Sequence, residues 1–289
     1  MEPVRTLLFV PGHRERMIEK APGSGADGLL YDIEDSVPAP DRNSARSILS
    51  EVLSEELVLP RYVRVNGIVD AGEEETAADL DAVVLPQLDG IVLPKAQSTD
   101  DIIWTAEAIR LLERQRNIED GSIEIIPMIE SALGVQFAYE ILSSSPRISA
   151  VIVGSAQDGD LQTDLGASWS PKGTELHYSR SRVLVAARAA GIDHPMDGVF
   201  LGLDDEDGLI QDSENARRLG YRGKTVIHPK QIEPVHRVFS PDENELKYYR
   251  EMISAFEEAG ENAFNFRGKM IDRAMIRKAR GLLTRFSGS

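Results

Sequence analysis

Eight short apolar runs, separated by stretches of helical spacing, have polar or ionisable residues just past almost every C-terminal end. Together these features predict an α/β fold, a (β/α)8 TIM barrel. Most runs are continuously apolar rather than alternating, as parallel strands covered on both faces should be. They occupy about 230 residues, the ordinary size of such a barrel. A doubly wound open sheet is the competing architecture. No G-x-G-x-x-G follows the first run, which counts against its nucleotide-binding form.

The first strand is expected at Thr6–Val10 and ends in Pro11-Gly12-His13-Arg14. The second, Gly28–Ile33, carries Asp32, Glu34 and Asp35 at its end, and the third, Tyr62–Val65, carries Arg64 and Asn66. Gly90–Leu93 runs into Pro94-Lys95, and Ile123–Ile129 into Glu130-Ser131. Ala150–Val153 precedes the polar stretch from Ser155 to Asp160. The seventh strand is expected at Gly198–Leu203, before Asp204 and Asp205, which suit a solvated turn equally well; the eighth, Lys224–Ile227, meets His228-Pro229. Asp100–Arg116 and Glu175–Ala190 are amphipathic and long enough for crossover helices. Residues 1–240 thus form the barrel. Residues 241–289 form a C-terminal helical extension: a helix at Glu243–Ala259, a loop at Gly260–Gly268 and a basic helix at Lys269–Thr284. Asp272, in the run FRGKMIDRAM, is either a solvated capping residue or part of an arm that reaches another subunit.

Composition narrows the function. The 289 residues include no cysteine, which excludes a disulfide framework, a thiolate nucleophile and any Cys-ligated metal. The net charge of −16 argues against nucleic acid or an anionic membrane as a partner. No apolar run approaches the roughly 20 residues that span a bilayer. The first apolar run ends at Pro11-Gly12 without a small-residue cleavage site, so a cytoplasmic location is expected. Only eight of the 32 basic residues are lysine. An acidic, lysine-poor surface is what a salt-accumulating halophile would use, because hydrated carboxylates tolerate screened repulsion.

At the barrel mouth, Glu130 and one of Asp158 or Asp160 come from neighbouring strands, with Glu34 and Asp35 from the second. Carboxylates without cysteine or paired histidines select a hard cation, Mg2+ first. Arg64 at a strand end suits bidentate binding of a carboxylate. Metal plus arginine fits a 2-oxo or 2-hydroxy acid.

The strings RTLLFVPGHRERMIEKA, LLYDIEDSV, YVRVNG, IVLPKA, IIPMIESALGV, DLQTDLGAS and VIHPKQI run collinearly through nearly the whole chain. They resemble the citrate lyase β-subunit and malyl-CoA lyase family of the HpcH/HpaI aldolase superfamily. The resemblance implies a (β/α)8 barrel with a C-terminal extension packing on a neighbouring subunit in a homotrimer or homohexamer. It implies an acyl-CoA carbon–carbon lyase that uses Mg2+, with Mn2+ as a substitute. Carried over position by position, it places the metal on Glu130 and on an Asp after the sixth strand, with Gly159 among the substrate-binding residues. Arg64 would hold the substrate carboxylate and polarise the thioester oxygen. Phe9, Arg14 and Lys20 fall at coenzyme A contacts, and Ile227 and His228 at a second such contact. Glu34 would accept from metal-bound water. Asp272 matches an acid/base that relatives supply from the adjacent subunit.

One departure is local. The family usually has G-x-E-D after the sixth strand, whereas here Gly154 is followed by SAQDGD, an apparent insertion that lacks the Glu. Counting forward from the strand gives Asp158 as the ligand; counting back from Asp164-Leu165-Gly166 gives Asp160, which keeps the downstream pattern without a gap. The resemblance favours malyl-CoA or 3-methylmalyl-CoA lyase, which yields glyoxylate. Citramalyl-CoA lyase and a citryl thioester lyase are the enzymatic alternatives, and a non-catalytic acyl-CoA binder is the alternative of another class.

Overall fold

A computed structural model describes residues 4–170, 172–260 and 262–286. The chain divides into two compact units, Val4–Phe239 and the segment from Ser240 onward.

In the first unit eight parallel strands close in sequence order into a barrel: β1 (Thr6–Pro11), β2 (Gly28–Asp32), β3 (Arg61–Arg64), β4 (Gly90–Leu93), β5 (Glu124–Ile129), β6 (Ala150–Val153), β7 (His194–Asp197) and β8 (Gly223–Val226). Closure is made by β1 against β8, with Thr6 opposite Lys224. Because side chains alternate along a strand, one set faces inward and the other outward. Leu7, Leu30, Tyr62, Val92, Ile126, Ile152 and Met196 form one buried cluster, and their strand neighbours Leu8, Leu29, Val63, Ile91, Ile125 and Val151 belong to a second, larger one that includes helix residues. This two-layer burial explains why most of the strands read as apolar runs without alternation.

The helices between strands are α1 (Glu15–Lys20), α2 (Arg42–Val52), α3 (Ile68–Val83), α4 (Thr99–Arg116), α5 (Ala132–Gln136), α6 (Ala138–Leu142), α7 (Asp160–Asp164), α8 (His177–Ala189), α9 (Glu206–Leu219) and α10 (Ile232–Phe239). Helix α4 starts with a reciprocal capping box between Ser98 and Asp101. Among the described residues no helix is long and apolar enough to cross a membrane.

The seventh strand corrects the sequence expectation. It lies at His194–Asp197, and Gly198–Leu203 is irregular. A proline and two polar residues disguise this strand, yet Met196 is buried and the Pro195 carbonyl accepts from the Arg222 N–H at 2.9 Å. The more strand-like Leu201 and Leu203 are 45% and 44% exposed, so their apolarity serves a surface loop instead.

Behind β7 and β8, Lys224 is fully buried and its Nζ donates to Asp197 Oδ2 at 2.6 Å and to Asp212 Oδ2 at 2.5 Å. Arg180 of α8 joins the same two carboxylates. Burial alone would raise the Asp212 carboxyl, but Lys224 and Arg180 overrule it and bring it down to about 2.

The second unit contains α11 (Glu243–Glu258), a hairpin of β9 (Phe264–Phe266) and β10 (Lys269–Ile271), and α12 (Arg273–Phe286). The hairpin replaces the end of the expected loop and the start of the expected basic helix. Arg267 and Gly268 both have positive φ, 52° and 82°, as a two-residue hairpin turn requires. Phe264 and Phe266 flank one side of that turn and pack with Tyr248 and Phe256. The unit has its own small core of Met252, Phe256, Ile271, Ile276 and Ala279.

Candidate active site

Parallel pairing places Arg64, the last residue of β3, opposite Asp32, the last of β2. Their side chains meet in a bidentate pair: Arg64 Nε donates to Asp32 Oδ1 and Nη2 to Oδ2, both at 2.7 Å. Arg64 Nη1 lies 2.8 Å from Glu34 Oε2, and the guanidinium carbon sits 4.9 Å from the centre of the Phe9 ring. Burial opposes charge on Asp32, but the adjacent Arg64 holds its carboxyl below the usual range. Arg64 is therefore fixed from one side by Asp32 and from another by an aromatic face.

Glu130 follows β5 and is only 6% exposed. It lies directly against Gly154 at the end of β6: a Cβ on Gly154 would come 2.3 Å from the Glu130 Cβ. Glycine is required there for Glu130 to occupy the mouth. Glu130 Oε1 accepts from the Lys95 N–H at 2.9 Å. Burial pushes the Glu130 carboxyl up to about 7, with Asp160 adding to the rise and Arg64 opposing it. Glu34 is pushed up to about 8, first by burial and then by Asp35, Asp32 and Glu130, against the pull of Arg64. Asp160 opens α7 from beneath the extended Gly159. Asp158 is exposed, has φ of 53° and donates its N–H to Gln162 Oε1.

A cavity of about 450 Å3 occupies the mouth, within the range of small-molecule sites. Phe9, Arg64, Glu130, Gly159, Asp160 and Ile227 all line it, and Asp158 and His228 do not. Met128, Ala156 and Val199 give it apolar wall. His228 instead caps the turn after β8, its Nδ1 accepting from the Lys230 N–H at 3.1 Å. Arg14 and Lys20, with His13 and Met17, line a shallow basin along α1. Asp272 belongs to the second unit, where its Oδ1 accepts from the N–H groups of Ala274 and Met275 at 2.9 and 3.0 Å and caps α12.

The oxygen-only donors of the mouth fit a hard divalent cation. Glu34, Asp35, Asp32, Glu130 and Asp160 crowd one region, where the neighbouring carboxylates push the Glu34 and Glu130 carboxyls upward, a repulsion that a cation relieves. Among the described residues no group of three or more His, Asp or Glu side chains stands at metal-ligand spacing. A cation on Glu130 and Asp160 would complete its shell with water and substrate.

Two mouth residues had no role assigned from sequence. Asp32 was visible as a strand-end carboxylate, but its bidentate use by Arg64 depends on the β2–β3 register. Lys95 was visible as a strand-end cation. Its Nζ stands 3.7 Å from Glu34 Oε1 and 3.6 Å from Asp160 Oδ2, and it hydrogen-bonds Asp70.

Comparison with known proteins gives consistent results. Residues 5–229 match the family described as HpcH/HpaI aldolase/citrate lyase. The citrate lyase subunit beta of Leuconostoc mesenteroides subsp. cremoris is 35% identical over 96% of this chain and 92% of its own. The (3S)-malyl-CoA thioesterase of Cereibacter sphaeroides is 34% identical over 98% of this chain and 94% of its own. Among solved structures, the protein CitE from Mycobacterium tuberculosis in complex with magnesium, acetoacetate and coenzyme A superimposes with a TM-score of 0.79. It is 27% identical, with 99% of this chain and 98% of that one covered.

Proposed function

This chain belongs to the HpcH/HpaI aldolase/citrate lyase family of carbon–carbon lyases, and we propose that it cleaves malyl-CoA or 3-methylmalyl-CoA reversibly to glyoxylate and acetyl-CoA or propionyl-CoA. The observation that carries this reading is the convergence of Arg64, Glu130 and Asp160 on one cavity that Phe9, Gly159 and Ile227 also line. Glu130 and Asp160 would hold Mg2+, or Mn2+ in its place. When bound, that ion supplies Lewis-acid polarisation of the substrate oxygens.

The protein groups do the rest. Arg64, kept rigid by Asp32 and Phe9, donates to the substrate carboxylate and the thioester oxygen as negative charge grows there. Glu34 is assigned to accept a hydrogen bond from water held by that ion. Arg14 and Lys20 are assigned to the diphosphate of coenzyme A, which a basic basin attracts even on a chain of net charge −16. His228 is assigned beside Ile227, next to the thioester arm. Asp272 of a neighbouring copy is assigned the acid/base role. It takes the substrate hydroxyl proton, the carbon–carbon bond breaks with its electron pair passing to the acyl-CoA enolate, and the same proton is returned to the enolate carbon. This requires residues 241–289 to pack on a neighbour in a homotrimer or homohexamer.

The relative named (3S)-malyl-CoA thioesterase supports a malyl-CoA thioester as the substrate. The citrate lyase relatives support a second reading, a citryl thioester, and the citramalyl-CoA lyases of Mus musculus and Homo sapiens, each 32% identical over 98% of this chain, a citramalyl one. A coupled assay of glyoxylate, pyruvate and oxaloacetate release from a panel of thioesters, with and without Mg2+ and in molar salt, separates them. Glyoxylate release is expected. Thermal stabilisation by acetyl-CoA with no release from any thioester would instead identify a non-catalytic binder.

A further inference from the structure

Lys95 follows β4 through Pro94 with a left-handed backbone, φ 51°, which a residue with a long side chain keeps only where its surroundings fix it. Here the tie is visible. Its N–H donates to Glu130 Oε1 at 2.9 Å. From that anchor the side chain, 19% exposed, extends to place Nζ 3.6 Å from Asp160 Oδ2 and 3.7 Å from Glu34 Oε1, with a hydrogen bond to Asp70 of α3. One residue thus touches both carboxylates assigned to the cation, Glu130 through its amide and Asp160 through its ammonium.

Other roles for Lys95 do not suit this geometry. Three carboxylates, Asp70, Asp160 and Glu34, face its ammonium, and an ion-paired ammonium has no lone pair to act as a base. What remains is its charge.

We propose that Lys95 is the internal counter-cation of the mouth, a positioning residue whose ammonium, held near Glu34, contends with the divalent cation for Asp160 and so sets the metal affinity. This rests on the assignment of Glu130 and Asp160 as the cation's ligands. A unit charge near a dication in a water-accessible cleft weakens binding by about tenfold at low salt, and less as salt screens it.

The test is direct Mn2+ binding to the full-length protein without substrate, followed by electron paramagnetic resonance at low and at molar KCl. Lys95→Met should bind Mn2+ about tenfold more tightly than wild type at low salt, with the gap narrowing at high salt. Lys95→Arg, which keeps the charge, should stay within about twofold of wild type. Lys95→Met should also melt at a lower temperature without metal, having lost its counter-cation. Should it fail to fold, Lys95→Gln carries the same expectation. Unchanged or weaker Mn2+ binding in the neutral variants, or equal tightening in Lys95→Arg, overturns the proposal. Glu130→Gln is the reference. If it binds Mn2+ as wild type does, the ligand assignment fails and the Lys95 proposal falls with it. If it loses binding while Lys95→Met is unchanged, only the Lys95 proposal fails.

Discussion

Arg64 and Asp32 close the ends of adjacent strands and share two parallel hydrogen bonds of 2.7 Å, so the arginine of the mouth is aimed by its neighbour before any substrate arrives. Asp32→Asn removes the charge and one acceptor while keeping the shape. The guanidinium then loses its fixed direction, and kcat/KM should fall about 10- to 100-fold with little change in Mg2+ affinity. Steady-state kinetics alongside metal titration checks this; unaltered kcat/KM would show that Arg64 needs no such guide.

Arg14 and Lys20 line one basin on α1. If it takes the coenzyme A diphosphate, Arg14→Ala and Lys20→Ala should each raise KM for the thioester several-fold, leaving kcat nearly intact. The wild-type KM should also rise with salt more steeply than that of the variants, because they have lost the screened attraction. An unchanged KM in both variants removes this assignment.

Asp272→Asn should bind thioester and metal as wild type does and lose about 10²–10⁴-fold in kcat, the usual worth of a positioned acid/base. Mixed with Arg64→Ala under subunit exchange, it should regain activity, because some sites then combine an intact Arg64 with an intact Asp272 from a neighbour. A mixture as inactive as its parents, with exchange shown by mass spectrometry, contradicts a shared site.

Acid stability should depend on Asp212. Its folded carboxyl is held at about 2, below the ordinary 3.8, so it contributes stability that is fully present above pH 4 and is lost as pH falls toward 2. Asp212→Asn should lower the melting temperature at pH 7 and flatten its decline between pH 4 and 2. Parallel declines for the two proteins would show that Lys224 and Arg180 do not depend on that charge.

The barrel was legible because its strands are apolar on both faces, and the mouth because Glu130, Arg64 and Asp160 lie just at or past strand ends. What the sequence hid has physical causes. Strand β7 is masked because His194-Pro195-Met196-Asp197 buries through one methionine and a charge network rather than through an apolar run. The tail hairpin is masked because basic residues at helical spacing overlie the Arg267-Gly268 turn. The Asp32–Arg64 clamp and the reach of Lys95 to Asp160 join residues 32 and 65 positions apart, the first revealed by the β2–β3 register and the second only by the closed barrel.

We assign Glu130 and Asp160 as the cation site of a carbon–carbon lyase. Glyoxylate release from malyl-CoA, titrated with Mg2+ in wild type, Glu130→Gln, Asp160→Asn and Asp158→Asn, tests it most directly. Glu130→Gln and Asp160→Asn should lose Mg2+-dependent release, while Asp158→Asn, altered outside the cavity, should keep most of it. An inactive Asp158→Asn beside an active Asp160→Asn would contradict the account.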